Sequence, residues 1–130
     1  MAQLRDYENP DTYFEFSFLS HTPRDDEGSR LILKYFKNSN LVREVKFGWT
    51  NLIVRNFIEM TKTFPDNKYD GYFSHFEENL EIKWMHEYST DLYLLILMDL
   101  GTLFTLKIKK EDMLMFGEQF ENELKEAPLN

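Results

Sequence analysis

Imidazole chemistry in this chain can come from only three residues, His21, His75 and His86. A hydrolytic zinc site takes three protein ligands at about 2.0–2.1 Å from the ion. His75 and His86 fall on one expected hairpin that turns near Glu78. A two-residue loop sets His75 opposite Ile82 and leaves His86 roughly 13 Å away, at about 3.3 Å per residue. A three-residue loop puts the two rings on opposite faces. Neither arrangement shares one ion, so the histidines are expected to be ordinary surface or rim residues and no metal is assigned. In Ser20-His21 and Ser74-His75 the neighbours point to opposite faces of a strand, so neither pair forms a nucleophile–base hydrogen bond locally. The chain has no cysteine, which removes thiol catalysis, disulfides and thiolate metal sites together. It carries no glycine-rich phosphate loop, zinc-protease helix motif or nucleophile elbow. No catalytic residue and no cofactor are assigned, and the chain is expected not to be an enzyme.

A sharper local pattern runs from Asp66 to Glu77. Asp66, Asp70, Gly71, Ser74 and Glu77 occupy positions one, five, six, nine and twelve of an EF-hand-like calcium loop. Lys68 stands at position three, where an oxygen ligand is required, and its ammonium repels a cation. Leu80, Ile82 and Trp84 then alternate as in a strand, where an exiting helix should run. A calcium-binding module at 66–77 is therefore the alternative to a plainer reading, a polar loop entering a hairpin. A small-ligand site within the aromatic-rich interior is a further alternative.

Charge is more informative than either pattern. The 130 residues include 15 basic and 23 acidic side chains, for a net charge of −8. Residues 1–65 are balanced, so the excess belongs to 66–130; within 66–99 only Lys68 and Lys83 oppose eight carboxylates. A pI near 4.9 argues against direct nucleic-acid or anionic-membrane binding. A solubilising surface accounts for such a segment, as does a docking face for a basic protein. The candidate partner-binding residues are Asp66, Asp70, Glu77, Glu78, Glu87 and Asp91, with Tyr69, Tyr72 and Tyr88 as aromatic anchors. Most of the twelve phenylalanines are expected in the core. Lys107, Lys109 and Lys110 read as a solvated strand end.

These side chains need elements to hold them. Phe14, Phe16 and Phe18 alternate with polar neighbours, the period of a half-buried strand. Leu31, Leu33 and Tyr35 begin a second strand, and Leu41, Val45, Phe47 and Trp49 are expected to share one face of a third. Thr50 can cap a helix whose stripe is Ile53, Phe57, Met60 and Phe64, stopped by Pro65. Strands follow around Tyr72, Ile82, Leu92–Met98 and Phe104. Leu92–Met98 is apolar at every position, which predicts a central strand covered on both faces. Met113, Phe116, Phe120 and Leu124 mark a closing helix. The expected fold is α+β, a mainly antiparallel bent sheet or open sandwich of about seven strands with two helices, ordered β-β-β-α-β-β-β-β-α. One domain is expected over 1–130, with 1–11 as a loose N-terminal segment. No repeat stands out in the sequence. No secretory signal opens the chain and no apolar run approaches the ~20 residues of a spanning helix, so a cytoplasmic location without a membrane is expected.

Phe76-Glu77-Glu78-Asn79-Leu80-Glu81-Ile82, then Leu92–Met98, then Leu106-Lys107-Ile108 and the helix with Phe116, Phe120 and Leu124 together resemble the WapI-type immunity-protein family. The resemblance spans roughly residues 41–124. It implies a small bacterial, cytoplasmic, non-enzymatic protein that neutralises a cognate toxin by binding it. No catalytic residue is implied, and the oligomeric state is left open.

Overall fold

The alternation of Phe14, Phe16 and Phe18 builds a strand because every second side chain finds the same apolar surface. In the computed structural model, which describes residues 1–24, 27–65, 70–73, 80–99 and 101–129, this strand is β2 (Tyr13–His21). It lies in an antiparallel meander with β1 (Ala2–Arg5), β3 (Gly28–Lys37) and β4 (Asn40–Thr50), in the order β1-β2-β3-β4. Asn38 and Ser39 close the β3–β4 hairpin with φ of 53° and 69°, the twist that a two-residue hairpin loop requires. The expectation of a loose segment over 1–11 is corrected here. Ala2 pairs with Phe16 and Leu4 with Phe14, and both are buried, at 0% and 4% exposure. Two apolar residues are too few to read as a strand, but β2 supplies a template for them.

The second half repeats the plan. Strands β5 (Asp70–Phe73), β6 (Glu81–Glu87), β7 (Leu92–Asp99) and β8 (Thr102–Ile108) form another antiparallel meander in chain order. Helix α1 (Asn51–Thr63) follows the first sheet and α2 (Lys110–Glu126) follows the second. The fold is therefore α+β, two copies of a ββββα plan, although no matching repeat is visible in the sequence. Phe73 opposes Ile82, so the β5–β6 hairpin is wider than a two-residue loop. Among the described residues, no helix is long and apolar enough to cross a membrane.

Thr50 caps α1 as expected, its Oγ1 accepting from the Ile53 N–H at 3.3 Å. At the start of α2 the Asp112 carboxylate accepts from the Lys109 N–H at 2.9 Å, which satisfies a donor that the helix itself cannot pair. The two helices cross at Gly117, where a Cβ would collide with Thr61. One apolar core joins both sheets and both helices. Phe57 of α1 is its hub, with ring centroids 5.8 Å from Phe16, 5.1 Å from Trp49, 5.4 Å from Phe73 and 4.9 Å from Phe120. Tyr35 and Phe104, 4.5 Å apart, join the sheets directly.

Leu92–Met98 is central, as expected, but not covered on both faces. Tyr93, Leu95 and Leu97 are buried, whereas Leu94, Ile96 and Met98 are only half-buried. Both helices contribute to the core on the inner side, and the outer side of the second sheet is left partly open.

Candidate functional site

The register of the second sheet determines what shares this outer face. Met98 lies between Glu81 and Leu103, Ile96 between Lys83 and Thr105, and Leu94 between Met85 and Lys107. On β5, Tyr72 opposes Lys83. Tyr72 and Leu103 are 52% and 63% exposed. The result is an apolar stripe along β7 bordered by carboxylates, lysines and a tyrosine. The Tyr72 hydroxyl donates to a Glu81 carboxylate oxygen, and this hydrogen bond is the main reason its pKa is raised.

At one end of the stripe, residues 88–91 connect β6 to β7, with Glu87 opposite Leu92. Asp91 adopts φ 60°, a left-handed conformation that Asp tolerates better than most residues. Its N–H donates to the Glu87 carbonyl at 2.9 Å. The Thr90 hydroxyl donates to the Glu87 carboxylate at 2.8 Å. A carboxylate oxygen of Asp91 lies 2.5 Å from His86 Nε2, and the His86 ring packs on Tyr88 and Tyr93 at 5.0 and 4.9 Å. The turn is thus held by its own side chains, and Tyr88 projects from it at 75% exposure.

Lys107 links the turn to the rest of the face. Its ammonium lies 3.2 Å from Glu87 and 3.2 Å from Glu8. The Thr90 hydroxyl first, and Lys107 second, hold the Glu87 carboxyl below its ordinary pKa. Glu87 and then Glu8 raise that of Lys107. Beside the turn, a hollow of about 220 Å³ is lined by Thr90, Asp91, Tyr93, Lys109, Lys110 and Glu111.

Of the sequence-derived partner residues, Glu87, Tyr88 and Asp91 come together at this turn. Tyr72 shares the outer face but lies level with Lys83, roughly 13 Å along the strand from Glu87 at about 3.3 Å per residue. Asp70 opens β5 opposite Met85. Asp66, Tyr69, Glu77 and Glu78 lie outside the described residues. Lys107, Glu8 and the β7 stripe were not legible as site residues, because they join only through the register of three strands and the N-terminal loop.

The other chemical readings meet specific obstacles. Asp70–Phe73, positions five to eight of the EF-hand-like loop, form strand β5, and β6 occupies the place of an exiting helix. Gly71 has a packing role, since a Cβ there would overlap the Trp84 ring. Among the described residues no group of three or more His, Asp or Glu is placed to hold a metal ion. His21 does pair with a serine, but across strands: Nδ1 is 2.8 Å from the Ser29 hydroxyl. Ser29 is 3% exposed, so its oxygen is shielded from any solvent-borne substrate.

No family model, curated protein or solved structure matches the chain.

Proposed function

We propose that the protein is a non-enzymatic binding protein that recognises a basic protein partner through the outer face of its second sheet and the adjoining β6–β7 turn. An immunity protein that neutralises a toxin in the cytoplasm by direct binding is the form that suits this reading best. The observation that carries it is the β7 stripe of Leu94, Ile96 and Met98, half-exposed and bordered by Glu81, Lys83 and Lys107, with Glu87 at the turn end of the same face. An apolar centre with a polar rim is the anatomy of a protein interface. Carboxylates at the rim favour a basic partner through faster encounter and selection against acidic competitors.

Size sharpens the reading. Strands of four, seven, eight and seven residues present roughly 400 Å² of sheet face, whereas a stable complex buries about 800 Å² on each partner. The partner therefore also engages the turn, where Tyr88 offers a large exposed ring, and the loop that carries Glu8. The test is co-expression with candidate basic toxins drawn from the neighbouring genes. Protection of the cell and a one-to-one complex are expected, both lost when Ile96 and Leu103 are replaced by Asp. A wild-type chain that neither binds nor protects ends the proposal.

A further inference from the structure

The other sheet has an unpaired edge. Among the described residues, β4 pairs only with β3, leaving one side of an eleven-residue strand without a neighbour. Val45 points inward with Phe47 and Trp49 but remains half-buried, although Leu33, directly opposite, is 2% exposed. Core cover is therefore incomplete along this edge. The outward residues on either side of Val45 are Glu44 and Lys46, both exposed.

The charge order on this strand is self-complementary. When two copies pair antiparallel about a two-fold axis normal to the sheet, one residue must face its own copy if both inner faces are to stay on one side. A centre at Arg43, Glu44 or Lys46 sets like charges against each other, which destabilises a cross-strand pair. A centre at Val45 sets Glu44 against Lys46 of the second copy, and Lys46 against Glu44, so both pairs are opposite in charge. We propose that two copies of the chain associate through their β4 edges, antiparallel about Val45, into one continuous eight-stranded sheet. The occupant of the edge is thus a second copy, and this surface is separate from the proposed partner face.

The bulge at Val42, between the Phe36–Leu41 and Tyr35–Arg43 pairs, ends the intermolecular ladder on one side. The two-fold axis sets the second copy's bulge beyond Phe47, which ends it on the other. A ladder of about five residues spans roughly 17 Å, a short contact, so the dimer is expected to be weak and to loosen as salt screens the charge pairs.

Sedimentation equilibrium from about 10 μM to about 1 mM tests this, with thermal melts as the folding control. The wild-type chain should dimerise within that range. Glu44→Lys and Lys46→Glu should each weaken the dimer by about tenfold, because both cross-strand pairs become repulsive. A one-to-one mixture of the two variants should form mixed dimers, and the double exchange should recover self-association. Lys46→Glu, whose cross-strand neighbour is the uncharged Ile32, keeps the test decisive if Glu44→Lys, placed opposite Lys34, folds poorly. A wild-type chain that stays monomeric to 1 mM, or a dimer indifferent to these reversals, overturns the proposal.

Discussion

The Lys107 ammonium on β8 reaches 3.2 Å from the Glu87 carboxylate on β6, diagonally across β7. The ion pair encloses one end of the apolar stripe and ties the β6–β7 turn to the far side of the sheet. Because both side chains are half-exposed, it contributes little to stability at neutral pH; its value lies in positioning the turn.

The pair predicts a pH signature at both extremes. The folded pKa of Glu87 lies below its ordinary 4.5, so its contribution is present above that value and fades as pH falls through the lowered one. Lys107 is the mirror case. Its folded pKa lies above 10.5, so its contribution is present below 10.5 and fades as pH rises through the raised value. Glu87→Gln should lower the melting temperature slightly near pH 7, and the gap to wild type should close in acid. A gap that is constant from pH 7 to pH 2 would rule out the linkage.

Gly117 gives a test whose sign is diagnostic. In an isolated helix, Gly→Ala stabilises by about 1 kcal/mol. Here the new methyl collides with Thr61 at the helix crossing, and overpacking of this kind costs about 1–3 kcal/mol. Gly117→Ala should therefore destabilise the protein in urea unfolding. A stabilised variant would show that the helices are not in such close contact.

Much of this fold was legible, and the parts that were not have physical reasons. The period-2 run of β2 and the α1 stripe with its Thr50 cap carry strong local signals, and both formed as expected. Strand β1 has only Ala2 and Leu4 to mark it, so tertiary pairing had to define it. The run Leu92–Met98 identified a central strand, but an all-apolar run has no period to show which face stays open. The acidic character of the turn could be read directly. Its pairing with Lys107 could not, since that depends on how β6, β7 and β8 align.

Phe57 and Tyr88 separate folding from binding. Phe57 is fully buried among five aromatic partners, so Phe57→Ala should cost about 3–5 kcal/mol through the lost contacts and the cavity left behind. Tyr88 is mostly exposed, so Tyr88→Ala should change stability by no more than about 0.5 kcal/mol. Chemical denaturation of both variants checks the contrast, and comparable losses would contradict the assigned packing.

The proposed docking face should respond to charge in two distinguishable ways. Leu103 is exposed next to Met98 on the edge strand of the uncovered face, so Leu103→Asp should leave the melting temperature near wild type while raising the dissociation rate of a bound partner. Glu81→Lys changes the rim instead, and should chiefly slow association, with an effect that diminishes as salt rises. The paired control is Val42→Asp, on the exposed edge of the other sheet. Surface plasmon resonance at two ionic strengths resolves the rates. If Val42→Asp weakens binding as much as Leu103→Asp does, the partner does not use the second sheet.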